Sequence, residues 1–153
     1  MDSLKGKYKN PKKTAWLYLS KYIRLKYADN EGNVACVCCG DVKKWNEGMD
    51  CGHFIPKTRG DLVYFYERNL APCCVSCNRF KDGNIQGYSL WLSKHYGVEI
   101  FEELNNLQYR PSVHYKEIDY IYFIQKYKKL IQELQNTNFL SNVLKQNTLK
   151  ELK

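Results

Sequence analysis

The 153-residue chain has no apolar run approaching the roughly 18 residues of a membrane-spanning helix, and its opening Met1-Asp2-Ser3-Leu4-Lys5 lacks the apolar core of a secretion signal. Neither membrane insertion nor export is expected, and the expected location is the cytoplasm. Internal repeats are also missing. The cysteines number seven, and an odd count does not suit a closed disulfide framework. In a reducing compartment, metal-bound thiolates are the better reading. Histidines are few, at three, and only His53 lies among the cysteines. Acidic residues are outnumbered 16 to 24 by Lys and Arg, for a net charge of +8.

The positive charge is concentrated at the two ends. Residues 1–26 hold eight basic side chains against Asp2, and residues 126–153 hold six against two. Between them, residues 27–125 carry ten basic and thirteen acidic side chains. Basic ends of this kind suit a polyanion such as nucleic acid, and a basic surface with no ligand is the plain alternative. An apolar content of 44% over this length supports one modest core.

All seven cysteines fall between Cys36 and Cys77, in the order Cys36-x-x-Cys39-Gly40, Gly52-His53, Asn69-Leu70, Cys74-x-x-Cys77-Asn78. Two C-x-x-C pairs at this separation are the usual way to close a tetrahedral, four-thiolate structural zinc (Zn2+) site, here Cys36, Cys39, Cys74 and Cys77. Cys38 and Cys73 break the spacing and read as spectators, although Cys73 in place of Cys74 stays open. Cys51 reads as a packing residue.

Helical spacing of Trp16, Leu19, Ile23 and Tyr27 predicts an amphipathic helix entered at Asn10-Pro11 and running to about Ala28, with Lys13, Lys21 and Arg24 on its other side. Val34–Val42 should form the first knuckle, with Gly40 allowing its turn. A hairpin is expected from Met49–Pro56 and Leu62–Tyr66, the latter having the stronger strand composition, with 57–61 as its loop. A helix should begin at Cys74 and reach Phe80, stopped by Asp82-Gly83-Asn84. Further helices are expected over 85–96, about 99–106 and about 116–135. Leu140, Leu144 and Leu152 hint at a weaker last helix.

The residues inside the knuckles point to phosphodiester hydrolysis. That reaction needs a base to activate water, and an imidazole such as His53 titrates near neutrality. It also needs a hard divalent cation at the phosphate and the leaving oxygen, for which Asn78 offers an oxygen ligand. Lys57, Arg59, Arg79 and Lys81 flank these positions and are candidate phosphate contacts, together with Lys13, Lys21 and Arg24. Asn69 should fix its loop through side-chain-to-backbone hydrogen bonds. His95 and His114 lie outside the motif and read as structural or exposed.

Over Cys36–Asn84 the sequence resembles the HNH, or ββα-metal, nucleases with a zinc knuckle, the endonuclease VII type included, and it is most similar to the phage recombination nucleases called NinG or Rap. The likeness extends to Ser20-Lys21-Tyr22-Ile23-Arg24-Leu25, Gly52-His53-Phe54-Ile55-Pro56, Cys77-Asn78-Arg79, Gly83-Asn84 and Tyr127-Lys128-Lys129-Leu130. It implies an α+β fold with a zinc-stapled, treble-clef-like ββα core over 34–84 and flanking helices over 13–28, 85–96 and 116–135. These make one nuclease domain over 13–135, between a flexible basic arm (1–12) and a helical tail (136–153). It also implies His53 as general base and Asn78 as a ligand of Mg2+ or Mn2+. The implied substrate is branched DNA such as Holliday junctions or D-loops, met in the host cytoplasm. Cleavage of symmetric junctions would favour a homodimer.

Most HNH enzymes carry an aspartate metal ligand directly before the histidine, and this chain has Gly52 there. Asp50, almost 7 Å back along an ideal strand, could supply the carboxylate if the hairpin is distorted. Asp82 is the other candidate. Two rival classes follow: a zinc-stapled nucleic-acid-binding module without catalysis, and a protein-interaction adaptor. His53 and Asn78 in register with the knuckles argue against the first, and the basic ends argue against the second.

Overall fold

The structure is a computed structural model that describes the backbone of residues 4–151 and the side chains of residues 4–138. Among the described residues, five α-helices surround two small antiparallel ribbons: α1 (Pro11–Lys26), β1 (Asn33–Ala35), β2 (Val42–Lys44), β3 (Met49–His53), α2 (Asp61–Tyr64), β4 (Leu70–Cys74), α3 (Ile85–Tyr96), α4 (Glu99–Gln108) and α5 (Glu117–Glu151). Among the described residues no helix is long and apolar enough to cross a membrane.

The α1 helix starts as its sequence dictates. The Asn10 side chain accepts from the Lys13 amide at 3.0 Å and Pro11 takes the first helical position, while Arg24 and Lys26 in the last turn meet the negative end of the helix dipole. Its buried stripe is Ala15, Leu19 and Ile23, joined by Ser20. Trp16, expected on that stripe, sits at its edge, half-buried. The stripe packs against Tyr120, Ile124 and Tyr127 of α5.

The central ribbon is not the predicted hairpin. β3 pairs antiparallel with β4, in register from Met49 opposite Cys74 to His53 opposite Leu70. The Leu62–Tyr66 run instead forms the single turn of α2, followed by buried Phe65. An unbroken apolar run reads equally as a buried strand or a buried helical turn, so composition alone misleads there. β4 is hidden from a sequence reading by Pro72, which normally argues against a strand. Its position is tolerated because the Pro72 carbonyl faces the first knuckle and accepts from the Val37 amide at 3.0 Å. All five β4 residues are buried. Leu70 faces the α1/α5 core, while Ala71 and Cys73 face a second core made with Tyr88 and Leu92 of α3 and Ile100 and Leu104 of α4.

Two further expectations are revised. The stretch read as a flexible arm folds back on the body in its described part: the Gly6 amide donates to Glu117 at 2.9 Å, and Tyr8 packs against the α1/α5 core. Residues 1–3 lie outside the description. α5 is one continuous 35-residue helix, with no break before the tail. The side chains of Leu140 and Leu144, and Leu152 itself, lie outside the description. The helix predicted over Cys74–Phe80 shrinks to a π-helical turn, Ser76–Phe80, because Cys74 still belongs to β4.

Helix α2 is held by Asp61, which is buried and accepts from Lys12 Nζ at 2.6 Å, the Tyr115 amide at 3.1 Å and Tyr120 Oη at 3.0 Å. Burial opposes its charge, but these three donors outweigh it and hold the carboxyl below the usual range. Asp61→Ala strands the buried Tyr120 hydroxyl and the part-buried Tyr115 amide, so it should cost about 3 kcal/mol in thermal or denaturant unfolding. Tyr120→Phe removes one donor and should cost about 1 kcal/mol.

Candidate active site

The two knuckles meet at one end of the central ribbon. Cys36 directly follows β1, and the turn to Cys39 is closed by Gly40, at φ +83°, whose amide donates to the Cys36 carbonyl at 2.9 Å. Cys74 ends β4 and Cys77 lies in the π-turn. The sulfurs of Cys36, Cys39, Cys74 and Cys77 all lie within 4.8 Å of one another, so that they could hold a zinc ion. The Cys39–Cys74 separation is 3.8 Å, against about 3.8 Å for the sulfur–sulfur edge of a tetrahedron with Zn–S bonds of about 2.3 Å.

N–H donors are already aimed at these sulfurs. The Cys74 amide points to Cys36 Sγ at 3.2 Å, the Cys77 amide to Cys74 Sγ at 3.5 Å, and Asn84 Nδ2 to Cys77 Sγ at 3.3 Å. The neighbouring Cys38 thiol and the surrounding backbone amides pull the Cys36 thiol below its usual range, while burial pushes Cys39 and Cys74 up. Four thiolates brought this close together call for a cation. Cys73 lies outside the set, as expected: its sulfur faces Cys38 Sγ at 3.5 Å in the α3/α4 core. Cys51 is buried against α1.

Beside the knuckles, α1, β3, the turn after Pro56 and the π-turn enclose a cleft of about 600 Å³. It gathers His53, Asn78, Asp50, Asp82, Lys57, Arg24 and Arg79. Lys13, Lys21, Arg59 and Lys81 are not among its lining residues; Lys21 lies over the Trp45 ring at 5.5 Å.

His53 is half-buried, stacked on Trp16 at 4.8 Å and edge-on to Tyr64 at 5.2 Å. Its Nε2 lies 3.0 Å from the Tyr64 carbonyl. A carbonyl only accepts, so Nε2 carries the proton and Nδ1 keeps the lone pair. Burial lowers its pKa to about 4; the Lys57 charge acts in the same sense and the Tyr64 bond opposes them. The ring is therefore neutral near pH 7.

Asp50 accepts from Asn78 Nδ2 at 3.0 Å and from Arg79 Nε and Nη2 at 2.7 and 2.8 Å. Burial opposes its ionisation, but the Arg79 and Asn78 bonds and the charges of Arg79 and Arg24 prevail, leaving the carboxyl below its usual range. The ribbon register is unbroken, so no distortion of β3 is involved. The π-turn brings Asn78 to Asp50 instead.

Gly52 has a local cause. A Cβ there would lie 2.6 Å from Cys73 Sγ and 3.2 Å from Asn78 Oδ1, so no side chain fits directly before His53. Asp50 brings a carboxylate to the cleft, and Asn78 turns its Nδ2 to that carboxylate and its Oδ1 towards Gly52.

Several supporting roles escaped the sequence. The Tyr88 hydroxyl is within 3.2 Å of the Gly52 carbonyl and 3.3 Å of the Asn69 carbonyl. Arg24 donates to the Ser20, Trp45 and Met49 carbonyls and to Ser20 Oγ, tying α1 to the β2–β3 turn. Its cleft position carries charge, while its N–H groups serve structure. Asn69 does fix its loop, bonding the Ile55 amide and the Ile55 and Val63 carbonyls. His95 stacks on Trp91, and exposed His114 lies near Ser112, both outside the cleft.

The sequence model of the family described as "Bacteriophage Lambda NinG protein" matches residues 4–137. Protein ninG of Escherichia phage 933W is 27% identical over 109 residues, 71% of this chain and 52% of its own length. The ninG protein of Escherichia phage lambda is 26% identical with the same coverage, and that of Salmonella phage P22 is 28% identical over 78 residues, 51% of this chain and 37% of its own. The chain spans about half the length of the curated relatives it matches. No solved structure matches it.

Protein purified without chelator should carry one zinc by elemental analysis, and Cys36→Ser or Cys77→Ser should lose it with much of the folding energy. A second expectation follows from His53. Its folded pKa, about 4, lies below the roughly 6.5 of an unfolded histidine. The unfolded chain therefore binds the extra proton first, and stability should fall as pH drops from about 6.5 towards 4. His53→Gln should flatten that part of the wild-type unfolding profile.

Proposed function

This chain belongs to the NinG family, and on that premise we propose that it is a divalent-metal-dependent DNA endonuclease of the HNH, or ββα-metal, kind. Its proposed substrates are branched recombination intermediates such as Holliday junctions and D-loops. The observation that carries this reading is the cleft where His53, neutral and with Nδ1 unprotonated, lies with Asp50 and Asn78 among basic side chains.

Asp50 and Asn78 would hold Mg2+ or Mn2+, which when bound neutralises the scissile phosphate and the leaving 3′-oxygen. Nδ1 of His53 takes a proton from the attacking water, while the Tyr64 carbonyl fixes the ring and stabilises the imidazolium that forms. Lys57 and Arg79 bind the phosphates on either side. The four-cysteine cluster has no open coordination position, so its role is to hold the cleft together. A symmetric junction would be cut by a homodimer presenting two such clefts.

One observation favours the rival reading, a DNA-binding module without catalysis: both Asp50 oxygens are engaged by Arg79 and Asn78. Kinetics separate the two. His53→Ala should keep zinc, fold and junction affinity while cleavage of a synthetic four-way junction falls about 10²–10⁴-fold. Asn78→Ala and Asp50→Ala should also cut slowly, with defects partly relieved by more Mg2+. A His53→Ala protein that cleaves as fast as the parent would rule out catalysis at this cleft.

A further inference from the structure

The least expected contact in the cleft is the one between Arg79 and Asp50. It is two-pronged, with Nε and Nη2 each within 2.8 Å of a different carboxylate oxygen. Asp50 is mostly buried (18% exposed) and Arg79 mostly open (60%). The Asn78 amide nitrogen is the third donor to the same carboxylate. Each group bonded to Asp50 is therefore a cation or an N–H donor, as a metal ion's partner would need.

We propose that Arg79 is an intramolecular stand-in for the divalent cation, exchanged for it when DNA binds. The inference rests on the reading of Asp50 and Asn78 as the metal pair. A guanidinium that grips a carboxylate with two parallel N–H bonds grips a phosphate in the same way. Because Arg79 is exposed, a phosphate entering the cleft can draw it off Asp50. That removes a positive charge beside the metal position and frees both carboxylate oxygens. A half-turn of the Asn78 amide then puts Oδ1, in place of Nδ2, beside the carboxylate. Metal binding and DNA binding are thereby coupled through one side chain, so each should tighten the other by the same factor. The consequence is an enzyme that holds its cation poorly until DNA is present.

Zinc-loaded His53→Ala protein, in which turnover is slowed, provides the background for the test. Mn2+ binding is read from the spin-resonance signal of free Mn2+, with and without a four-way junction, after subtracting uptake by DNA alone. Without DNA the parent background should bind Mn2+ weakly, and DNA should tighten it about five- to tenfold. Adding Arg79→Gln should give that tighter affinity without DNA and leave little for DNA to add. Arg79→Lys keeps the charge but not the two-pronged grip, and should fall between. If Arg79→Gln binds Mn2+ no tighter than the background while Asp50→Ala abolishes binding, the stand-in is wrong and the metal site stands. If Asp50→Ala leaves Mn2+ binding unchanged, the metal assignment itself fails.

Discussion

The four-cysteine cluster is the constraint on which the remaining architecture depends. A ribbon of two five-residue strands is marginal by itself. β3 and β4 are also separated by a long excursion through α2, so no tight turn sets their register. The cluster ties the end of β4 to the knuckle after β1. Zinc binding in small fingers is worth on the order of 10 kcal/mol or more, comparable to the whole stability of a domain. That is enough to fix a ribbon that local propensity leaves undecided.

From that fixed ribbon the cleft follows by alternation. Cys51 and His53 point to the α1 side, where Cys51 is buried and His53 meets Trp16. Asp50 meets the π-turn that emerges from the knuckle itself. The partner that orients His53, the Tyr64 carbonyl, belongs to a helix of one turn, too short to hold its place alone. Its anchor is the Asp61 network reaching to Lys12, Tyr115 and Tyr120. A structural carboxylate contacting α1 and α5 thus sets which imidazole nitrogen carries a proton.

Much of this was legible in the sequence because its signals are short in range. The C-x-x-C spacing gave the ligand set, helical periodicity gave α1, α3 and the start of α5, and the place of Asn69 gave its loop-fixing role. What stayed hidden depends on contacts distant along the chain. β4 carries Pro72 and two cysteines and reads as a poor strand, while Leu62–Tyr66 reads as a good one; tertiary packing reverses both. The glycine before His53 becomes intelligible only once Cys73 is seen to fill the space of its missing side chain. Asp50 looked too far away because the π-turn that brings Asn78 to it has no sequence signature.

That π-turn carries a consequence for how such a chain can change over time. A π-helical turn is an α-helical turn with one extra residue accommodated. Here it holds Cys77, a member of the cluster, and runs into the left-handed Asp82-Gly83-Asn84 reversal. Asn78 and Arg79 are therefore aimed by residue count as much as by residue type. Deleting one residue between Cys77 and Asp82 would swing them about 100° around the axis, even with every side chain of the cleft retained. Changes in the length of 78–82 should accordingly be tolerated far less well than substitutions at Phe80 and Lys81.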